Sequence, residues 1–318
     1  GTPLEGQRHA QTERTLMGGA DLVAGVGPLL AQEAARLNGA PPPPVHTMIS
    51  DMPPAPGDPP PRPTERTGFD LLIQGRVGDP LKGVEFAARV VAQLRAEGID
   101  VRLTTRGAAA GEAPAQARHL TGIAGSEVTV RVRTTDAREL HRDLLGADLV
   151  LMPSVHEGFG LVASEAARAG VPVLVGEGTG AGMFFGDPAH VPAVLGGPAT
   201  VRDGVTVQAV WDALAAAADP AEAVRQLDQR RLASWVDHLR AAVADLPAHR
   251  RRALDLREFL GDRYPLGSAA RALLDALHGG EPGGVAAPST VPGGGHGGGT
   301  AAPEPDLAAP APRGLPPQ

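Results

Sequence analysis

Lys82 is the only lysine among 29 basic residues in a chain of 318. It lies in GRVGDPLKG (75–83), directly after the apolar run FDLLIQ (69–74). Where nearly every cation is arginine, a lone lysine on a Gly-rich turn after a strand is a candidate for chemistry. Gly75, Gly78 and Gly83 let backbone approach a ligand closely. Arg76, Lys82 and unpaired N–H groups could together hold an anion. A cation where a helix begins is unfavourable for the helix dipole, and a bound anion would reverse that penalty. The bare pattern also fits a surface turn with two incidental charges. The GxxxxGK[ST] spacing of a phosphate loop is absent.

A second stretch, PSVHEGFGLVASEA (153–166), follows the run DLVLM and opens a helix. Glu157 falls in the turn and Glu165 inside the helix. Eight helical residues between them rise about 12 Å. That is too far for two carboxylates sharing one proton or flanking one glycosidic bond. It suits two ends of an extended ligand. Gly158 and Gly160 bracket Phe159 and leave the first helical amides uncovered for an anion. The plainer alternative makes Glu157 a cap and Glu165 a solvated side chain. His156 is open between a substrate contact and an ordinary loop histidine. The third stretch, GEGTGAG (176–182), does not meet G-x-G-x-x-G, and MFFGDP soon breaks the helix after it. A Gly-rich loop facing the same cleft is favoured over a dinucleotide site.

These turns need strands to carry them. Strands are expected at 69–74, 100–107, 127–132, 147–154 and 171–178, with helices between them. Five βα repeats of this length predict an α/β fold with an open, doubly wound parallel sheet. Its ligands would bind at the carboxyl ends of the strands. Asp136 with Glu139 reads as a capping box, and Asp219-Pro220 as a helix start. Residues 5–39 read as helix, strand, helix. The segment 40–67 is a Pro-rich linker, within which VHTMI could form one strand. Residues 204–277 are mostly helical. The Gly/Pro/Ala tail 279–318 lacks the apolar surface to offset ordering entropy and should be disordered.

Composition narrows the functions. Aromatics are 3 % against 42 % apolar residues overall, so Val, Leu, Ile and Ala must build the core. Cysteine is absent, which removes disulfides, thiolate catalysis and Cys-based metal sites. A net charge of -7 gives no global field favouring nucleic acid. No spanning helix and no signal pattern are seen, so a cytoplasmic location is the default expectation. The basic run HRRR (249–252) reads as a solvated helix end. A peripheral membrane contact is the less favoured reading. Trp211, Trp235 and Tyr264 fall in amphipathic helices and read as packing residues.

Together, GRVGDPLKG and PSVHEGFGLVASEAARAGVPVLV resemble the C-terminal donor-binding domain of group 1 (family 4) retaining glycosyltransferases, which have the GT-B fold. The likeness covers about residues 68–190 and, more loosely, the helices to 277. It implies a Rossmann-like domain at 68–200 with C-terminal helices at 201–278 packed on it, and a remnant of the N-terminal domain at 1–39. The donor would be a nucleotide-diphosphate sugar. No metal or other cofactor is implied, and the acceptor is unspecified. By the resemblance, Arg76 and Lys82 hold the diphosphate, with Gly75 beside them. Glu157 lies near the transferring sugar, and Glu165 meets the ribose hydroxyls. Phe159, Gly160 and Leu161 present backbone amides, and Thr179 and Gly180 occupy a neighbouring loop position. Catalytic work would fall to Glu157, Arg76 and Lys82. The chain departs from the family at Met183, where many relatives carry glutamate. It also holds little of an acceptor domain, so this chain alone is expected to be inactive. A degenerate, non-catalytic nucleotide-sugar-binding module is the alternative. An unrelated nucleotide-dependent α/β protein such as an epimerase is a distant third.

Overall fold

Apolar residues on both faces of consecutive strands dictate a sheet covered on both sides. The computed structural model describes residues 3–38, 45–52, 59–60 and 67–278. The expected disordered tail, and most of the Pro-rich linker, lie outside the described residues. Every described residue belongs to one compact unit, 1–283.

The chain begins with α1 (Pro3–Gly18), β1 (Val23–Val26), α2 (Gly27–Asn38) and β2 (Val45–Met48). β1 and β2 pair in parallel as a separate two-stranded sheet. The strand foreseen within VHTMI is thus present, and it completes a βαβ unit. Next come β3 (Phe69–Gln74), a 3-10 turn (Pro80–Lys82), α3 (Val84–Ala96), β4 (Val101–Ala108), α4 (Ala113–Ala124), β5 (Val128–Val132), α5 (Ala137–Gly146), β6 (Leu149–Met152), α6 (Leu161–Arg168), β7 (Val173–Gly176), α7 (Gly180–Gly186), α8 (Ala193–Gly196) and β8 (Thr200–Val201). Four helices finish the described chain: α9 (Val207–Ala216), α10 (Pro220–Ala244), α11 (Leu246–Arg263) and α12 (Ser268–Leu277).

The main sheet is wholly parallel, in the order β5-β4-β3-β6-β7-β8. Chain order therefore reverses between β3 and β6, leaving a crevice beyond their carboxyl ends. Alternation sorts the core into two layers. Leu71, Ile73, Leu149 and Leu151 face α3, α4 and α10. Leu72, Val150 and Met152 face α6, α7 and α11. β8 was not foreseen, because two residues carry no periodicity to detect. Among the described residues no helix is long and apolar enough to cross a membrane.

Local starts follow their sequence signals with two corrections. Asp219 caps α10, accepting from Ala221 N at 2.9 Å with Pro220 next to it. Asp136 caps α5, accepting from Arg138 N at 2.8 Å. Glu139 does not close the capping box. The Asp136 N–H donates to Thr134 Oγ1, and the Glu139 carboxylate lies 3.5 Å from Arg106. Lys82 does not open α3. It ends the 3-10 turn, Gly83 intervenes at φ 69°, and α3 begins at Val84.

Candidate functional site

The three singled-out stretches all follow strands of the main sheet, and two of them meet at the reversal point. The turn 75–83 leaves β3, and the loop 153–160 leaves β6. A cleft of about 460 Å³ opens there, lined by Gly75, Arg76, Lys82, Glu157, Phe159, Gly160 and Leu161 among others. That volume is within the range of small-ligand sites.

Glycine and capping geometry hold the first turn. Gly107, at φ 141°, lets β4 pass Gly75 closely: a Cβ there would fall 1.8 Å from the Gly75 carbonyl oxygen. Asp79 accepts from Leu81 N at 3.0 Å and pairs with Arg76 at 2.7 Å. Arg76 is mostly exposed and sits at the rim. Lys82 is turned inward, and its ammonium pairs with the Glu157 carboxylate. The two residues that sequence reasoning placed on separate ligand groups therefore meet directly. The penalty expected for a cation at a helix start does not arise, since Lys82 precedes the helix and has a carboxylate partner.

The two turns are also joined by backbone. Val155 N donates to Leu81 O at 3.0 Å. At Gly83 a Cβ would come within 2.4 Å of the Pro153 carbonyl oxygen, so only glycine permits this approach. The α6 terminus is then left open. Gly160 at φ 93° is its N-cap and supplies no side-chain cap. A Cβ at Gly160 would strike the Met152 thioether at 2.7 Å. The first amides of α6 lack intrahelical acceptors and border the cleft.

α6 begins at Leu161, so only half of the interval between Glu157 and Glu165 is helical. The expected 12 Å helical rise is corrected accordingly. Glu165 stands one turn beyond Leu161 on the same helical face. It borders a neighbouring hollow of about 370 Å³ with Ala137, Arg138, His141 and Arg168. Gln74 links the two, lining the cleft and donating to Leu140 O at 3.2 Å. Loss of hydration against α5 pushes the Glu165 carboxyl up from its usual range, and Arg168 partly opposes this.

Thr179 and Gly180 do not reach the cleft. The buried Thr179 hydroxyl donates to Gly176 O at 2.8 Å and accepts from Gly182 N at 3.1 Å. Gly180 N donates to Glu157 O at 3.0 Å. Both residues brace the loop that carries Glu157. The Phe159 ring is buried against Phe184, with centroids 5.7 Å apart, so any ligand contact from Phe159 is through its backbone. The His156 ring packs edge-on to the half-exposed Trp211 at 5.0 Å and is not in the cleft lining. Trp235 and Tyr264 are buried as expected. Arg250, from the basic run, is turned onto the buried Asp148 at 2.9 Å and is not a solvated end.

One wall was missed. Val26 and Leu30, from the N-terminal βαβ unit, line the cleft. Leu30 lies over Gly158, where a Cβ would meet it at 3.2 Å, and Gly27 packs on the Phe159 ring. Only the glycines that allow this contact, Gly27 and Gly158, signalled it in the sequence.

With this geometry in place, comparison with known proteins is informative. Residues 1–273 match the family described as "Family 4 Glycosyltransferase in conflict systems". The D-inositol 3-phosphate glycosyltransferase of Arthrobacter sp. (strain FB24) is 38% identical over 109 residues, covering 33% of this chain and 26% of that protein. The enzyme of the same name from Mycobacterium leprae (strain Br4923) is 34% identical over 145 residues, 44% of this chain and 28% of that protein. The chain thus spans about a quarter of the length of these curated relatives. Among solved structures, sucrose-phosphate synthase (tll1590) from Thermosynechococcus elongatus superposes with TM-score 0.56 at 18% identity, over 86% of this chain and 61% of that one. The pneumococcal O-GlcNAc transferase GtfA, in complex with UDP and GlcNAc, gives 0.53 at 15% identity, over 86% and 47%. At such identities the structures speak for the fold alone, which is GT-B-like. Since the family match runs through nearly the whole described chain, this protein belongs to the family 4 glycosyltransferases, in the group found in conflict systems.

Proposed function

We propose that the chain binds a nucleotide-diphosphate sugar as the donor part of a retaining glycosyltransferase. The observation that carries this reading is the meeting of Lys82, Glu157 and the open α6 terminus in one cleft at the sheet's reversal point. The diphosphate takes the place of Glu157 as partner of Lys82, with Arg76 at the rim and the α6 amides behind it. Glu157 is then released towards the sugar. Glu165 and the hollow beside α5 receive the ribose, one helical turn along the same exposed face.

In the transfer, the bond from the sugar's anomeric carbon to the diphosphate breaks. The acceptor oxygen bonds that carbon from the same face, and its proton passes to the departing diphosphate oxygen. Charge grows on the leaving group as the bond lengthens. A pre-placed ammonium and helix amides in a partly dry cleft stabilise it, without the reorganisation that water would need. In this reading the acceptor is presented by a second α/β half, and the 318 residues alone bind donor without transferring sugar. No metal enters the scheme.

Thermal-shift titration with UDP, GDP, ADP and their glucose forms tests this on wild type and Lys82→Ala. At 100 times its dissociation constant a ligand stabilises by about 2.7 kcal/mol. One nucleotide should raise Tm in the wild type and fail to do so in Lys82→Ala. Equal shifts in both proteins, or none with any nucleotide, would count against the site.

A further inference from the structure

Behind the two ligand-facing turns lies a group of buried charges that none of the chemistry above uses. Arg231, on α10, is 1% exposed. Its guanidinium lies 4.0 Å from the Phe86 ring centroid. Its Nε and Nη2 donate to Asp228 Oδ1 at 3.1 and 2.9 Å. Asp228 also takes Arg89 of α3, at 3.2 Å. On the other side Arg231 Nη1 lies 3.9 Å from Asp203 Oδ2, which accepts from Trp235 Nε1 at 2.7 Å. Asp203 Oδ1 accepts from Val205 N at 3.1 Å, so the loop after β8 is tied in as well.

The place of this group is what matters. Arg231 Nη2 lies 3.2 Å from where a Gly83 Cβ would be, and the Pro153 carbonyl is 2.4 Å from that same point. Gly83 follows Lys82, and Pro153 begins the loop carrying Glu157. A fully buried guanidinium thus sits beneath the one spot where both turns touch. An apolar residue of similar volume would fill that space at lower desolvation cost. A buried ion group kept there is explained by geometry that an apolar side chain does not fix, because its hydrogen bonds are directional and its stack on Phe86 sets one plane.

The geometry points to Arg231 as a positioning residue: it fixes turn 75–83 against loop 153–160, and so sets the spacing of Lys82 and Glu157 for the donor. It touches no substrate and acts through Gly83 and Pro153. The effect on binding rests on the nucleotide-sugar reading, whereas the effect on the two turns does not.

Two readouts keep these apart, on wild type, Arg231→Lys, Arg231→Met and Arg250→Met. Arg250 pairs with buried Asp148 beside the start of β3, so it controls for losing a buried ion pair away from the cleft. Amide hydrogen exchange is followed without ligand, and UDP, GDP and ADP are titrated well below each variant's Tm. Both Arg231 variants should speed exchange in 75–83 and 153–161 and weaken nucleotide binding by about 10- to 100-fold, the cost of an ångström-scale misplacement. Arg250→Met should lower Tm while leaving both readouts as in the wild type. If Arg231→Met does not fold, Arg231→Lys, which keeps the charge but loses the planar fork, carries the test. Unchanged exchange in the two turns would overturn the inference whatever the nucleotides do. Faster exchange with no nucleotide bound by any protein would uphold the positioning role and sink the donor reading instead.

Discussion

The pairing of Lys82 with Glu157 makes an asymmetric demand on substitutions. In the ligand-free cleft each neutralises the other. A diphosphate must compete with Glu157 for the ammonium, so part of its attraction to Lys82 is spent on separating the pair. Removing Lys82 deletes a charge-assisted contact worth about 1.5–3 kcal/mol, and Lys82→Met should weaken nucleoside diphosphate binding by about 10- to 150-fold. Removing the competing charge does the opposite. Glu157→Gln should bind the bare diphosphate as well as wild type or more tightly, yet support no transfer in the complete enzyme. Isothermal titration of both variants with the nucleotide identified by thermal shift checks this. Weaker binding in Glu157→Gln would mean that the carboxylate helps to hold the diphosphate rather than to contest the lysine. The sequence marked both residues but not their contact, because they lie 75 positions apart and are joined only by the fold.

Helix ends show how local signals become long-range ties. Gly267, the N-cap of α12, carries no side chain, so its terminus is capped from elsewhere. Asp51, following β2, accepts from Gly267 N at 2.6 Å, Ala269 N at 2.8 Å and the Ser268 hydroxyl at 3.0 Å. One carboxylate thereby ties the N-terminal βαβ unit to the last described helix. The hydrogen bond from Ala269 N is the main reason its pKa lies below the usual 3.8. A depressed carboxyl pKa contributes stability that is full above the unfolded value and lost as pH falls through the folded one. Asp51→Ala should therefore cost about 0.5–2 kcal/mol near neutrality, and the gap from wild type should close below pH 3.8. Urea unfolding across pH 2.5–7 measures it, and a gap that persists at pH 2.5 would assign the loss to packing. Strands β3 to β7 and helices α9 to α12 were legible because each run is apolar on one or both faces and ends at Gly, Pro or a capping side chain. The start of α3 was misplaced because Asp79-Pro80 opens a 3-10 turn with the same signals as an α-helix. The cap at Asp51 could not be read at all, since it pairs residues more than 200 apart.

At the scale of the whole molecule, two parallel sheets of very different size share one cleft. The six-stranded sheet has a continuous core on both faces, whereas β1 and β2 form a pair that is marginal on its own. That pair is held by contacts at Gly27, Leu30 and Asp51, all of them to elements that border or support the cleft. Local opening should follow this inequality. In native-state hydrogen exchange, amides of Val23–Val26 should exchange well before those of Leu71–Ile73 and Val150–Leu151. Ligand should then narrow the difference, because Val26 and Leu30 wall the site. Saturating nucleotide is expected to slow exchange in 23–31 together with 75–83 and 158–162. Protection confined to the last two segments would show that the N-terminal unit only covers the apolar side of the loop after β6. Protection of all three would make it part of the donor site. The family match from residue 1, far upstream of the motifs, would then have a physical reason.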